Sequence, residues 1–360
     1  MQAGARTIVA SEGGPLAGEL RAFGVEWVTM PTETYNPLAL RRNTGRLARM
    51  IAGERVDIIH AFGAGAAWSA LSAIGRMPVW LVTSFGDRVE PPSWFGGKFE
   101  GALAKGHRIV APSSYVARAM IERYRLPPDR ITVIPRRVDT AQFSPAAVHA
   151  DRVAAMRRAW GILPNTRVVL VPGRIAPWNG QLGVVDAARL VAGGGRRNVA
   201  FVLAGDDRAE PAYRDAVIKR AHGHAVDTLF RMVGHCHDMP AALAAADVVV
   251  VPALKPPLTG RAAAEAQAMG RPVVVNAVGV LPENVLAPPR MAEELRTGWI
   301  VRPGHAGELA RGIATALAMD RKTYDAMGAR ARQFAEFVFS PHSVSAAMRG
   351  LYTSLLSRQP

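Results

Sequence analysis

The stretch Ala244–Val285 reads AAADVVVVPALKPPLTGRAAAEAQAMGRPVVVNAVGVLPENV and decides the fold. Val248–Val251 is an uninterrupted run of β-branched residues, which is typical of a strand buried on both faces. After a proline-rich loop, Gly260 opens an alanine-rich helix that ends at Gly270. A second apolar strand is predicted over Val273–Asn276. Strand, helix and strand in this order indicate one βαβ unit of a parallel sheet.

Glu265 is a carboxylate inside this otherwise apolar helix. Burying a charge without a partner costs free energy, so a carboxylate among alanines near a sheet is expected to be paired or used in binding. The alternative is a position on the solvent-facing side of the helix. The sequence alone leaves both interpretations open.

The same alternation of strands and helices continues along the rest of the chain. In the first half, strands are predicted at residues 7–10, 25–30, 56–61, 79–84, 107–111 and 131–134. In the second half, further strands are predicted at residues 168–171, 199–204, 229–233 and 299–301. This pattern predicts an α/β fold with two doubly wound, Rossmann-like domains over 1–140 and 150–338. The proline-bounded segment 135–145 is the predicted linker, and a final helix is predicted over 341–360.

Composition limits the classes of protein and partner. The chain has 360 residues and a formal net charge of +15, carried mostly by arginine. This excess favours an anionic partner, namely a nucleoside diphosphate, an anionic lipid surface or nucleic acid, or it reflects GC-rich coding. The single cysteine, Cys236, excludes an intramolecular disulfide and fits a reducing compartment.

Several sequence signals of other protein classes are missing. We find no apolar run of about 18 residues and no signal peptide, so we expect a cytoplasmic protein, in solution or peripheral on the inner membrane face. No GxGxxG motif follows a strand, which argues against a nicotinamide oxidoreductase, and no P-loop motif is present. His235-Cys236-His237 is not expected to bind metal, because adjacent residues of a strand point in opposite directions.

The opening stretch resembles the nucleotide-sugar-binding signature of retaining glycosyltransferases of family 4, E-x-F-G-[L/R]-x-x-x-E-A-x-A-x-G-x-P-V. The positions in register are Gly260, Arg261, Glu265, Ala266, Ala268, Gly270, Pro272 and Val273. Pro257 stands at the position of the family's first glutamate. The resemblance implies the GT-B fold, in which two Rossmann-like domains face a central cleft. It also implies that the first domain binds the acceptor, the second binds the donor, and the last helix packs back on the first.

A second motif concerns the donor diphosphate. The segment Gly173–Gln181, GRIAPWNGQ, is similar to the family's G-R-x-x-x-x-K-G, with Arg174 in place and Asn179 at the lysine position. In the family, the arginine binds the diphosphate and the second glutamate, here Glu265, accepts hydrogen bonds from the ribose. The resemblance therefore implies that Arg174 and Glu265 are the catalytic residues. The donor-binding positions that it assigns are Gly173, Arg174, Asn179, Gly205, Asp206, Gly234, Pro257, Gly260, Arg261 and Glu265.

The acceptor side matches the family less well. Many relatives carry a histidine in T-F-H-G after the fourth predicted strand, and Gly86 stands at that position here. His60, Asp87 and Arg88 are the acceptor-side candidates. His60 is either an acceptor contact or a satisfied structural histidine.

Two functions remain open. The resemblance implies retaining transfer from a nucleotide-diphosphate sugar to a lipid-linked or polysaccharide acceptor, in cell-envelope glycan synthesis of the lipopolysaccharide kind. No metal, cofactor or nucleic-acid partner is expected. The departures at Gly86, Asn179 and Pro257 favour an alternative, a catalytically degenerate GT-B protein that binds a nucleotide sugar or a partner without transfer. Lys255 and Arg261 are candidates to replace the missing lysine charge.

Two features of the first half complete these expectations. The arginine-rich face of the helix predicted over 37–51 either docks on an anionic membrane surface or is a solvated face. Family members carry a strand, a glycine-rich loop and a helix ahead of the strand predicted at 7–10. Either the start site is misassigned or the amino-terminal sheet lacks its first βα unit.

Overall fold

The computed structural model describes residues 5–14, 17–32, 34, 36–85, 101–257 and 259–357. Their contacts divide the chain into two units. The amino-terminal unit comprises Met1–Ile134 and Ala347–Pro360, and the carboxyl-terminal unit comprises Pro135–Ala346. Residues 86–88 and the start of the helix expected near residues 98–105 lie outside the described residues.

The amino-terminal unit is an α/β structure whose strands pair in parallel. Its strands are β1 (Ile8–Ser11), β2 (Glu26–Thr29), β3 (Ile58–Phe62), β4 (Trp80–Ser84), β5 (Arg108–Ala111) and β6 (Ile131–Val133). Its helices are α1 (Ala17–Ala22), α2 (Pro37–Glu54), α3 (Ala64–Ile74) and α4 (Ser114–Tyr124). Ser113 caps α4, because its Oγ accepts a hydrogen bond from Val116 N at 3.1 Å.

These strands form two separate sheets. One sheet holds β1 and β2, and the other has the order β3-β4-β5-β6. The single parallel sheet expected from the strand-helix alternation is therefore divided, because β1 and β3 do not pair with each other. Alternation along the chain predicts the strands but carries no information on which edges meet.

The carboxyl-terminal unit contains one parallel sheet with the order β12-β11-β10-β7-β8-β9. Its strands are β7 (Arg167–Pro172), β8 (Val199–Ala204), β9 (Phe230–Gly234), β10 (Val248–Val251), β11 (Val273–Asn276) and β12 (Gly298–Val301). Its helices are α5 (Ala150–Ala159), α6 (Gln181–Gly193), α7 (Pro211–Gly223), α8 (Met239–Ala245), α9 (Arg261–Ala268), α10 (Ala306–Ala318) and α11 (Arg321–Phe339). Helix α12 (Pro341–Leu356) begins here, and its second half belongs to the amino-terminal unit.

The core of this unit lies on both faces of the sheet. Residues of β7, β8, β10 and β11 are almost wholly buried and contribute to two apolar clusters. The β-branched composition of these strands explains their burial, since strands covered by helices on both faces have no polar side. The segment 135–145 belongs to this unit, because Val138 and Phe143 are buried in its core and Val138 N donates to Phe339 O at 2.8 Å.

Among the described helices, none combines the length and apolarity needed to cross a bilayer.

Candidate functional site

The loops after β7 and β10 meet at the carboxyl edge of the carboxyl-terminal sheet. Gly180 has a φ of +73°, and a Cβ there would lie 2.1 Å from Pro252 O. Across the same contact, Leu254 N and Lys255 N donate to Trp178 O at 2.8 and 3.3 Å. Only glycine allows this approach of two backbones, so the two loops form one surface.

The loop after β8 joins this surface. A Cβ on Gly205 would lie 2.0 Å from Gly173 O, and Ile175 N donates to Asp206 O at 2.9 Å. The carboxyl edge of an open parallel sheet is where ligands bind in doubly wound folds. The structure therefore brings together Gly173, Gly205 and Asp206, which the sequence assigned to one site.

Arg174 is exposed on this edge, and its backbone is held in place. Its carbonyl accepts hydrogen bonds from Asn179 Nδ2 at 2.7 Å and Gln181 Nε2 at 2.9 Å. Within the described residues, no carboxylate forms an ion pair with its guanidinium. The guanidinium is thus available for an anion, and its planar donor set suits a diphosphate. Asn179, at the lysine position of the family, supports the loop.

The loop over residues 252–257 rests on β11 and on the segment that follows it. Asn276 is buried, and its Nδ2 donates to Pro252 O at 2.8 Å and to Ala253 O at 3.1 Å. Gly279 has a φ of +60°, and a Cβ there would lie 2.9 Å from Pro256 Cα. Sequence reasoning missed Asn276, although a polar residue at the end of an all-valine strand was a usable signal.

Helix α9 starts at this edge without a side-chain cap. Gly260 occupies the N-cap position with a φ of +56°. Asn284 Nδ2 donates to Gly260 O at 3.1 Å, and a Cβ on Gly260 would lie 2.8 Å from the same nitrogen. The first N–H groups of α9 therefore receive no N-cap side chain, and together with the helix dipole they favour an anionic group.

Glu265 is buried one turn into α9, with 7% of its surface exposed. Its Oε1 accepts a hydrogen bond from Arg261 Nε at 2.6 Å, while the Arg261 side chain is 76% exposed. Burial raises the pKa of the Glu265 carboxyl, and the Arg261 guanidinium opposes this shift. Glu265 is therefore a buried, paired carboxylate, and the solvent-facing interpretation is wrong.

The ion pair between Arg261 and Glu265 bears on which cation could replace the missing lysine charge. Arg261 was a candidate to replace the missing lysine charge, but its guanidinium is engaged by Glu265. Arg174 and Glu265 form no ion pair with each other among the described residues. Lys255 is exposed in the loop bonded to Trp178, so of the two candidates it is the one whose charge is not engaged by Glu265.

The remaining donor-side candidates lie around this edge. Gly234 ends β9 with a φ of +67°, and open space surrounds the position of a Cβ. Pro257 contributes its carbonyl to the packing against Gly279. Beyond β9, the rings of His235 and His237 meet edge to face at 4.6 Å. Over the described parts of the chain, no group of three or more His, Cys, Asp or Glu residues is placed to hold a metal ion.

His60 lies in the amino-terminal unit. One of its ring nitrogens, Nε2, lies 2.6 Å from Ser84 Oγ, and the other, Nδ1, lies 2.5 Å from Tyr352 Oη. Phe62 stacks on the imidazole with ring centroids 4.2 Å apart. Burial lowers the pKa of His60 to about 4, so the ring is neutral at physiological pH. This geometry fits the structural interpretation of His60. Gly86, Asp87 and Arg88 fall outside the described residues.

Two Rossmann-like units, with a polar edge built from the loops after β7, β8 and β10, define a two-domain α/β protein of the GT-B class. Residues 2–142 match the family described as Glycosyltransferase Family 4, and residues 166–319 match Glycosyl transferases group 1. The chain belongs to the family 4 glycosyltransferases, as the sequence resemblance predicted.

Curated relatives share part of this chain. D-inositol 3-phosphate glycosyltransferase of Salinispora arenicola is 34% identical over 206 residues, which cover 54% of this chain and 45% of that protein. The protein of the same name from Geodermatophilus obscurus is 36% identical over 203 residues, covering 54% and 43%. The chain thus spans about half the length of the curated relatives it matches.

Solved structures resemble the whole chain. A glycosyltransferase from Rickettsia africae has a TM-score of 0.85 at 24% identity, covering 99% of this chain and 91% of that one. HepE from Anabaena, crystallised with UDP, has a TM-score of 0.78 at 20% identity, covering 98% and 92%. At these identities the likeness establishes the fold, and it confirms the predicted α/β class with two Rossmann-like domains.

Proposed function

We propose that this protein is a hexosyltransferase that moves a sugar, with retention, from a nucleoside-diphosphate donor to a lipid-linked or polysaccharide acceptor. The observation that carries the proposal is the buried carboxylate of Glu265, placed one turn into α9. A carboxylate held away from water selects a ligand that offers hydroxyl donors, which a ribose does with its 2′ and 3′ groups. Membership of the family supports the same assignment.

The diphosphate is proposed to lie between Arg174 and the start of α9. The sugar leaves when its bond to the diphosphate oxygen breaks, and negative charge then grows on the phosphate. A guanidinium 4 Å away contributes roughly 4 kcal/mol at an effective dielectric constant of about 20. We propose that Arg174 supplies this charge, and its exposure and the lack of a carboxylate partner among the described residues support the proposal. We propose that no metal is required.

The donor is proposed to be a uridine-diphosphate sugar. HepE, whose fold this chain shares, was crystallised with UDP and with UDP-glucose. The acceptor is proposed to belong to cell-envelope glycan synthesis. The panel of acceptors to be assayed therefore contains lipid-linked and polysaccharide acceptors. It also contains D-inositol 3-phosphate, because this compound appears in the relatives' names.

A cytoplasmic location at the inner membrane face is proposed from the surface of α2. Four arginines of this helix are exposed, namely Arg41, Arg42, Arg46 and Arg49. Leu38, in its first turn, is 69% exposed. Cationic side chains beside an apolar one suit an anionic bilayer surface. Cosedimentation with vesicles of anionic lipid, but not with neutral vesicles, is the expected result.

A second function is favoured by Asn179 and Pro257. The amide of Asn179 is used to hold Arg174 O, and Pro257 offers no acceptor side chain. The protein would then bind a nucleotide sugar or a partner without transfer. UDP-, GDP- and ADP-glucose, tested for binding by calorimetry and for nucleotide release with the acceptor panel, separate the two functions.

Release of nucleotide that depends on an acceptor supports the transferase, and binding without release supports the degenerate protein. Arg174→Gln is expected to weaken nucleotide binding at least tenfold, since about 1.4 kcal/mol of lost interaction suffices. Arg321→Gln is the matched control, because its side chain is 86% exposed and pairs with Asp325 on α11. Absence of binding by every nucleotide would contradict the transferase and leave, of the degenerate protein, only binding of a partner.

A further inference from the structure

The loop between β10 and α9 is held at its first end by a buried asparagine. Residues 252–257 include three prolines, and a proline has no N–H with which to order a loop by backbone hydrogen bonds. Asn276, the last residue of β11, is 3% exposed. Its Nδ2 donates to two successive carbonyls of the loop, Pro252 O at 2.8 Å and Ala253 O at 3.1 Å. The amide thus supplies order that the loop cannot supply for itself.

A second buried asparagine repeats this arrangement at the other end of the loop. Asn284, in the segment after β11, is 1% exposed. Its Nδ2 donates to Thr259 O at 3.4 Å and to Gly260 O at 3.1 Å, again two successive carbonyls. A Cβ on Gly260 would lie 2.8 Å from this nitrogen, so the close approach of the amide requires glycine. One asparagine amide therefore serves each end of the loop.

The carbonyl of Gly260 does not need the Asn284 amide to be satisfied. It already accepts hydrogen bonds from Ala263 N at 3.0 Å and from Ala264 N at 3.2 Å within α9. A carbonyl oxygen offers two lone pairs, and these two bonds use both. The bond from Asn284 consequently fixes the direction of this peptide group beyond what the helix itself requires.

A third buried amide fixes the position of Asn284. Gln267 of α9 is wholly buried, and its Nε2 donates to Asn284 O at 2.9 Å and to Thr297 Oγ1 at 3.0 Å. Its Oε1 has no hydrogen-bond partner among the described residues. Burying an unpartnered oxygen costs free energy, which an apolar side chain of similar size would avoid. The side chain is therefore useful through its donor end, which ties the backbone of Asn284 to α9.

The bond from Asn284 also acts on the N–H of the same peptide group. The peptide group that contributes Gly260 O contributes the N–H of Arg261, which is the first residue of α9 and has no acceptor within the helix. Hydrogen bonds in series polarise one another where the surroundings are apolar. The Arg261 N–H thus becomes a stronger and better directed donor. At the other end, Asn276 orders the part of the loop that carries the exposed Lys255.

We infer that Asn276 and Asn284 are positioning residues of the donor site. Their amides hold the loop so that Lys255 and the Arg261 N–H meet the diphosphate, which neither asparagine touches because both side chains are buried. A loop that is ordered before binding loses less conformational freedom on binding, which strengthens affinity. The inference rests on the proposed function, which places the diphosphate between Arg174 and the start of α9.

The experiment compares nucleoside diphosphates with the matching nucleosides in Asn276→Ala and Asn284→Ala. UDP carries the diphosphate, and uridine offers only the base and the ribose. Each substitution is expected to raise the Kd of UDP about three- to tenfold, as the loss of one hydrogen bond predicts. The Kd of uridine, measured by ligand-observed NMR, should stay unchanged. General damage to the site would weaken both ligands alike. GDP with guanosine and ADP with adenosine are measured in the same way.

Asn198→Ala is the matched control. The Nδ2 of Asn198 also donates to a loop carbonyl, Asn165 O at 2.9 Å, but this residue lies ahead of β8, at the opposite edge of the same sheet. We expect no change in the Kd of UDP or of uridine. Where urea titration shows that an alanine protein does not fold, the serine variant replaces it. The serine hydroxyl ends one bond short of the loop carbonyls and keeps a polar group in the buried position.

A spectroscopic measurement follows the loop without a nucleotide. Inorganic pyrophosphate is titrated into ¹⁵N-labelled protein, and the amide resonance of Arg261 is recorded. We expect this resonance to shift in the unmodified protein and in Asn198→Ala. In Asn276→Ala and Asn284→Ala, the apparent Kd for pyrophosphate should rise about three- to tenfold.

The outcomes separate the inference from the proposed function. For either asparagine, an unchanged Kd of UDP, or equal losses for UDP and uridine, overturns its assignment while the donor site stands. If the unmodified protein binds none of UDP, GDP and ADP, the proposed donor site is wrong and the pyrophosphate titration decides the inference. A pyrophosphate affinity that the two alanine proteins lose supports it, and an Arg261 resonance that pyrophosphate does not move overturns it.

Discussion

Replacing the buried carboxylate of Glu265 tests the donor site most directly. Glu265→Gln keeps the shape of the side chain and removes its charge. Oε1 of Glu265 is bonded to Arg261, and among the described residues Oε2 accepts no hydrogen bond. We expect a ribose hydroxyl to donate to this oxygen in the complex with UDP.

The expected loss follows from the strength of that bond. A hydrogen bond to a charged group contributes about 1.5–3 kcal/mol, so Glu265→Gln should weaken UDP binding by roughly 10- to 150-fold. The pH dependence has a defined sign. Burial raises the pKa of the Glu265 carboxyl, so UDP affinity of the unmodified protein should fall as pH decreases through that raised value. The Glu265→Gln protein should lack this dependence.

Isothermal calorimetry with two ligands separates ribose recognition from general damage to the site. UDP offers the ribose hydroxyls, and 2′,3′-dideoxy-UDP does not. We expect Glu265→Gln to weaken the binding of UDP and to leave the binding of 2′,3′-dideoxy-UDP unchanged. Glu308→Gln, at a partly exposed carboxylate of α10 that pairs with Arg302 ahead of this helix, is the matched control and should alter neither. Equal losses for both ligands would refute the assignment of Glu265 to the ribose.

Three further predictions concern the loops and His60. Gly180→Ala should lower stability to urea and weaken UDP binding, because the added Cβ would lie 2.1 Å from Pro252 O. The control Gly183→Ala, in open space on α6, should instead raise the free energy of unfolding by about 0.5–1 kcal/mol. Asn179→Lys should strengthen UDP binding at low salt and less at high salt, and a gain independent of salt would argue against a charge effect. The pKa of His60 is about 4 in the folded protein, below its value of about 6.5 in the unfolded chain. The unfolded state therefore binds the proton more readily. The free energy of unfolding should fall by up to about 3 kcal/mol as pH drops from about 6.5 to about 4. His60→Gln should flatten that slope in urea titrations, and an unchanged slope would exclude His60 as its source.

Local pattern determined the fold class and most elements of this protein. The valine runs over Val248–Val251 and at 273–275 fall where the structure has β10 and β11, because a strand covered on both faces favours apolar side chains along its length. Gly260 could be read as the start of α9, and the family signature identified Glu265. These features depend on residues close together in the chain, so spacing and composition were enough to find them.

Tertiary structure alone decided how distant residues combine. Asn276 supports Pro252 and Ala253 from a neighbouring strand, and His60 meets Ser84 and Tyr352. The sequence spacing of Arg261 and Glu265, one helical turn, is compatible with an ion pair. The sequence did not show, however, that the Glu265 carboxylate in this pair is buried. The division of the amino-terminal sheet was likewise hidden. Strand propensity is a property of a few adjacent residues, whereas strand order depends on which edges the packed helices bring together.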